Sequence, residues 1–333
     1  MTLDPVLLAR TRERLARRKD ERERVYEKRR MAVLDKIPGF ADLETALQKT
    51  VLDAVKISLE KPKNPEALLA QLGIENQKLQ EQSGKLLEGA GFPADYLDEE
   101  SLCELCEDSF HQGVKHCVCL LATYKEIQAE ELGKLLNLGS ANFENFSLEF
   151  YDNTTVEPKM GLTARENMAE ILDLCKKYAQ TFSPGKAMNL FFVGAPGLGK
   201  TFLSTALAAD ISARGFSVVY DTANRLFSRF EDDKFGKSSD PTGLQEEINR
   251  YLNCDLLILD DLGTELTTSF VISALYTLLN TRILQKKQTV ISSNYQLDVL
   301  GEKYNPQILS RLEGEFEILT FFGQDIRKLK KEM

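Results

Sequence analysis

The sequence predicts an α/β domain with a parallel five-stranded sheet, preceded by a mainly helical N-terminal region that ends in a small cysteine module. Three observations lead there. After residue 161, short apolar runs alternate with helical stretches: "NLFFVG" (189–194), "FSVVYD" (216–221), "DLLILDD" (255–261), "QTVISSN" (288–294) and "FEILTFF" (316–322). Apolar runs of this length between helical segments are the pattern of strands covered on both faces by helices. Residues 1–135 read instead as successive helices, and the α/β domain is expected over 140–333. Four of the six cysteines fall within residues 103–119, which suggests a metal site rather than a disulfide framework.

The helical region begins with residues 5–34, where mixed-sign charges at three- and four-residue spacing support a solvated helix. Residues 10–30 hold 11 Lys/Arg against 5 Asp/Glu, a local charge of +6, whereas residues 31–333 carry −14 of the net −9. The arm is a solvated helix or a docking element for a protein or nucleic acid. The acidic body is a poor generic nucleic-acid binder. In residues 41–60, Leu43, Leu47, Val51, Val55 and Leu59 recur at steps of four on one helical face. "KPKNP" (61–65) breaks that pattern, a further helix is expected from Pro65 to about Glu88, and "GAGFPADYL" (89–97) is a turn-rich entry to the cysteines. Residues 120–160 read as a connector, and "GLTARENMAEILDLCKKYAQTF" from 161 reads as a helix. No internal repeat is found. No run of about 18 apolar residues exists to span a membrane, and the N-terminus lacks the apolar core of a signal peptide. A cytoplasmic location is therefore expected.

"GAPGLGKT" (194–201) has the spacing of a phosphate-binding loop, and it lies between a strand and a helix as such a loop must. Its glycines let backbone N–H groups curl toward a phosphate, and the following helix adds its positive N-terminal end. Gly194, Ala195, Pro196, Gly197, Leu198, Gly199, Lys200, Thr201 and Phe202 are the candidate nucleotide contacts. Lys200 is expected to bridge the β- and γ-phosphates of ATP, and the Thr201 hydroxyl to ligate Mg²⁺. "LLILDD" (256–261) is a buried strand ending in acids, at the sheet edge where open α/β folds place ligands. Asp260 is the expected Mg²⁺-linked carboxylate. Asp261, or Glu265 in "DDLGTE", is the candidate to orient the attacking water. Asn294 ends the strand "QTVISSN" and can reach a γ-phosphate or be a simple turn residue. Arg311 in "ILSRLEGEF" and Arg327 in "GQDIRKLKK" are each surface ion-pair residues or stabilisers of a transferring phosphoryl group.

In their order, "GAPGLGKT", "LLILDDLGTE", "VISSN", "SRLEGEF" and "GQDIR" resemble the AAA+ helicase loaders of the DnaC/DnaI type, over about residues 140–333. The IstB-type transposition helpers are similar in the same core. The resemblance implies a ring-forming ATPase in which Asn294 senses the γ-phosphate, Arg311 acts across a subunit interface and Arg327 acts in cis. It makes Phe143 and Phe146 of "NFENF" candidate adenine contacts, with ordinary core aromatics as the alternative. It implies a replicative hexameric helicase as partner, weak single-stranded DNA binding and self-assembly. In residues 228–250, Arg229, Lys234 and Lys237 are the basic residues before Arg250, among several acids. Met333 follows soon after Arg327, so no large C-terminal lid is expected. A transposition helper and a non-hydrolysing nucleotide-gated adaptor are the competing functions.

"CELCEDSFHQGVKHCVC" sets Cys103 and Cys106 two residues apart, and Cys117 and Cys119 one residue apart. Four thiolates suit tetrahedral Zn²⁺. The second pair is tight, so His111 or His116, the only two histidines, is a candidate replacement ligand. The resemblance to DnaI-type loaders implies a zinc-bearing N-terminal domain that docks on the helicase. Cys175 and Cys254 read as buried apolar residues.

Overall fold

The computed structural model describes residues 3–60, 64–98, 101–136 and 141–332. These divide into two compact units, Arg12–Leu120 and a larger one comprising Leu121–Met333 with Met1–Thr11. The sequence-based boundary at 135–140 falls largely on residues 137–140, which lie outside the described residues.

The smaller unit is built from α1 (Pro5–Lys36), whose first turns count with the larger unit, α2 (Phe40–Glu60) and α3 (Pro65–Gly89). Val33, Ile37, Phe40 and Leu87 form its core. Arg30 ties α1 to α2 through a two-pronged pair with Glu44 at 2.8–3.1 Å. The apolar stripe on α2 is only partly used: Leu43 joins the core, whereas Val51, Val55 and Leu59 are 57%, 52% and 78% exposed. A two-strand hairpin, β1 (His111–Gln112) and β2 (Lys115–His116), carries the cysteine module.

In the larger unit, the stretch expected as a connector over 120–160 contains a helix, α4 (Val118–Leu136). Tyr124 and Ile127 on it pack with Leu7, and Leu132 joins the main core. Its narrow apolar face, diluted by "YKE" and "AEE", hides the period in sequence. Two short 3-10 turns follow, Phe143–Asn145 and Leu148–Phe150, then the hairpin β3 (Val156–Glu157) and β4 (Leu162–Thr163). Thr163 and Glu166 form a capping box that starts α5 (Ala164–Thr181).

The sheet follows. Its elements are β5 (Asn189–Gly194), α6 (Lys200–Ala213), β6 (Val218–Thr222), α7 (Ala223–Lys234), α8 (Pro241–Asn253), β7 (Leu256–Leu262), α9 (Ser269–Leu284), β8 (Gln288–Ser293), α10 (Leu297–Lys303), α11 (Pro306–Glu315), β9 (Phe316–Phe321) and α12 (Ile326–Glu332). Five strands lie parallel in the order β6-β7-β8-β5-β9, so the five expected strands and their parallel sheet are present. Alternate residues enter two separate cores: Leu190, Phe192, Ile258 and Val290 on one face, Phe191, Val193, Leu257 and Ile291 on the other. That two-sided burial explains the unbroken apolar runs. The order also sets β5, β8 and β7 side by side, so their C-terminal ends meet at one edge. Among the described residues, no helix is long and apolar enough to cross a membrane.

Candidate nucleotide site and cysteine cluster

β5 delivers the loop at the centre of that edge. Gly194 adopts φ +155°, and a Cβ there would run into the Phe321 backbone of neighbouring β9. Gly199 caps α6 at φ +93°, where a Cβ would sit 2.8 Å from the Tyr151 hydroxyl and 3.3 Å from the Phe146 ring. L side chains disfavour that backbone region, so glycine is required twice over. The Tyr151 hydroxyl donates to the Leu198 carbonyl at 2.9 Å, and the Ile326 amide donates to the Gly197 carbonyl at 3.1 Å. The loop is thus braced from residue 151 on one side and from α12 on the other.

A cavity of about 300 Å³ opens against this loop. Residues Pro196 through Phe202 line it, together with Phe146, Tyr151, Asp261, Asn294 and Arg327. The Lys200 ammonium, on a 5% exposed residue, donates to the carbonyls of Gly194 (2.6 Å) and Ala195 (2.8 Å) and to Asn294 Oδ1 (2.8 Å). Asn294 Nδ2 in turn donates to Asp261 Oδ1 at 3.2 Å. Burial pushes the Lys200 ammonium down to about 8, against the opposing pull of Asp261 and Asp260. Burial, followed by the charge of Asp260, pushes the Asp261 carboxyl above the usual carboxylate range.

Adjacent residues in a regular strand point to opposite faces. At the end of β7 the pairing with β8 shifts register between Leu259 and Leu262, and Asp261 takes a left-handed φ of +56°. This irregularity re-aims the pair: Asp261 lines the cavity, while Asp260 is buried at 3% exposure beneath it. Asp260 accepts hydrogen bonds from the Tyr220 and Ser292 hydroxyls.

The remaining sequence candidates separate clearly. Arg327 lines the cavity; Arg311 does not. Arg311 lies over the Tyr276 ring at 4.3 Å and donates to the Tyr276 hydroxyl and Asn280 Oδ1, both at 2.9 Å. Phe146 lines the cavity, stacked on Tyr151 and edge-on to Phe202, whereas Phe143 packs against the core outside it. Glu265 is absent from the cavity wall: its carboxylate accepts from the Gly263 amide at 3.0 Å and from the Tyr304 hydroxyl. With both oxygens engaged inside the protein, it is ill placed to orient a water. Tyr151, Tyr220, Ser292 and Ile326 belong to the site and went unread. Tyrosine, serine and isoleucine carry no spacing signal.

In the smaller unit the four cysteine sulfurs lie within 4.8 Å of one another. Cys103 and Cys117 are 3.8 Å apart, Cys106 and Cys119 3.6 Å. A tetrahedron with Zn–S bonds of about 2.3 Å has edges of about 3.8 Å, so the sulfurs stand at thiolate–zinc spacing. Burial and the neighbouring thiols push the Cys119 thiol strongly up. The histidines are not in the cluster. His111 and His116 face each other across the hairpin, rings 5.2 Å apart. Asp108 supports the knuckle, accepting from the Cys103 amide at 3.1 Å while pairing with Arg22 at 2.7 Å. Cys175 and Cys254 are buried in the larger unit.

Residues 178–332 match the family of IstB-like ATP-binding proteins. The replicative helicase loader DnaC of Escherichia coli K12 is 23% identical over 160 residues, 48% of this chain and 64% of DnaC. The replicative helicase loader DnaI of Bacillus subtilis is 32% identical over 139 residues, 40% of this chain and 41% of DnaI. The matched part thus spans less than two thirds of either relative. A crystal structure of DnaI superimposes with a TM-score of 0.46 at 20% identity, covering 60% of this chain and all of that one. Residues 178–332 thus match the IstB-like ATP-binding family, and parts of the chain are similar to the helicase loaders DnaC and DnaI.

Proposed function

We propose that this chain is an ATP-dependent loader of a replicative hexameric helicase, with slow, partner-dependent ATP hydrolysis. The observation that carries the reading is the meeting of Lys200, Asp261, Asn294 and Arg327 in one cavity on the phosphate-binding loop. Lys200 opens α6 after the loop that follows β5, Asp261 and Asn294 lie at the ends of β7 and β8, and Arg327 is on α12. Lys200 binds the β- and γ-phosphates, and Phe146 packs on the nucleotide's base. Thr201 and Asp260 are the oxygen donors for Mg²⁺, which when bound offsets phosphate charge. Asp261, which accepts from Asn294 Nδ2 on Oδ1, orients the attacking water. Arg327 acts on the phosphates within the same protomer, and Arg311 acts on those of a neighbour. Phosphoryl transfer needs mainly positioning and charge stabilisation, which these groups supply.

Residues 1–135 take the partner-binding role, with Zn²⁺ held by the four cysteines. The exposed Val51, Val55 and Leu59 on α2 support this, because a contiguous apolar stripe in water marks a contact surface. Single-stranded DNA binding is weak and salt-sensitive: Arg229 and Lys237 are already paired with Glu247 and Glu231, at 3.4 and 3.7 Å. The IstB-like match supports a second reading, a transposition helper with a transposase as partner. Co-purification with a replicative helicase and with a transposase, each with and without ATP, tests both. The loader reading expects ATP-sensitive capture of the helicase, lost in Lys200→Ala. Capture of the transposase alone refutes it.

A further inference from the structure

We infer that Tyr220 is a positioning residue for the Asp260 carboxylate, acting with Ser292 to aim its remaining lone pairs at the metal beside Thr201. The inference rests on the ATP/Mg²⁺ reading of the site and deepens it. Asp260 lies on β7, and its two neighbours in the sheet each send it one hydroxyl. Tyr220 on β6 donates to Oδ2, and Ser292 on β8 donates to Oδ1. All three side chains are buried. A carboxylate offers about four lone-pair sites. Each oxygen holds one hydroxyl, so rotation of the carboxylate plane is restrained and a lone pair on each oxygen is left free.

Thr205, one turn beyond Thr201 on α6, donates to the Thr201 carbonyl at 2.8 Å. The chemical type matters. A lysine or arginine at 220 would hold Asp260 equally well but would cancel the charge that attracts a cation. A neutral phenol and a neutral serine fix orientation and leave the charge whole. An ordinary core tyrosine satisfies its hydroxyl on any nearby carbonyl; this one ends on the single acid at the metal position.

Tyr220→Phe removes one oxygen and keeps the ring. In the full chain, three quantities are compared with wild type: nucleotide affinity in EDTA, the Mg²⁺ concentration giving half-maximal ATP turnover, and Mn²⁺ binding to the ADP complex by EPR. The expected result is unchanged affinity in EDTA, with Mg²⁺ half-saturation and Mn²⁺ dissociation each raised about tenfold. Ser292→Ala is expected to act in the same direction from the other oxygen, and it carries the test if the tyrosine variant does not fold. Unchanged metal dependence in a folded variant overturns the inference. So does a loss of nucleotide affinity in EDTA with no metal shift, which marks a structural role. If wild type itself shows no metal-dependent nucleotide binding and Asp260→Asn matches it, the ATP/Mg²⁺ reading fails instead.

Discussion

Replacing Arg311 with alanine separates the two arginines by what each can reach. In its own protomer Arg311 makes two side-chain hydrogen bonds of 2.9 Å, to Tyr276 and Asn280, and one of 3.1 Å to the Gln307 carbonyl. It also stacks over the Tyr276 ring. The group is half-buried, so solvent discounts each contact, and their sum is about 1–2 kcal/mol of stability. No part of it lines the nucleotide cavity, so nucleotide affinity should not change. An arginine acting across an interface is worth ~10³-fold or more in turnover, or about 4 kcal/mol. The modest local loss cannot produce that drop. Arg311→Ala should therefore bind ATP normally, assemble, and lose turnover by about three orders of magnitude. Arg327→Ala should weaken ATP binding itself. Mixing makes the test stringent. Arg311→Ala keeps a whole site and Lys200→Ala keeps a whole finger, so a head-to-tail ring of both regains active interfaces. An equimolar random mixture should recover about a quarter of wild-type turnover, since one interface in about four joins a good site to a good finger. Normal turnover by Arg311→Ala in the assembled state, or a mixture as inert as its parents, refutes the assignment.

Three further outcomes can be checked directly. Gly199→Ala forces a Cβ into left-handed backbone against the Tyr151 hydroxyl, a strain of about 1–2 kcal/mol before the contact is counted. ATP affinity should fall at least about tenfold by titration calorimetry, and unchanged affinity refutes the brace. Arg282 is fully buried and donates to the carbonyls of Tyr251, Cys254 and Gln288 at 2.5–3.2 Å, clamping the end of α8 to β8. Arg282→Met should cost about 3 kcal/mol in denaturant unfolding, because several buried acceptors lose their donor together; a loss below about 1 kcal/mol would show that they find other partners. The cysteine cluster should hold one equivalent of zinc after anaerobic purification, lost in Cys106→Ser with ATP affinity unchanged. Metal-free wild type refutes the site.

The parts of this site that were legible in the sequence share a property: their chemistry dictates their local spacing. Phosphate must meet consecutive amides at a helix start, so residues 194–201 announce themselves. A strand buried on both faces must be apolar throughout, so the acid that ends "LLILDD" stands out. Thiolate ligands pair at knuckle spacing in the same way. The illegible parts are those fixed only by the fold. Glu265 and Asp261 look alike in "DDLGTE", and it is the Gly263 amide and the Tyr304 hydroxyl, the latter 39 residues away, that engage Glu265 outside the cavity. Phe143 and Phe146 are equivalent in "NFENF" and both pack against the core, but beside the 3-10 turn only Phe146 also lines the cavity.

The stripe on α2 is another feature that only the fold resolves. Period-four spacing establishes that Leu43 through Leu59 share a face; it cannot say what covers that face. Leu43 is covered from within its own unit, but Val51, Val55 and Leu59 stay exposed. An amphipathic helix that folds for its own core should be driest at its centre. This one exposes Val51, Val55 and Leu59 toward its C-terminal half. Folding alone does not account for those side chains. On the loader reading proposed above, 51–59 is the segment where charge substitutions should abolish helicase capture while leaving ATP binding intact. Capture that survives Val51→Asp together with Val55→Asp would return the stripe to an accident of helix composition.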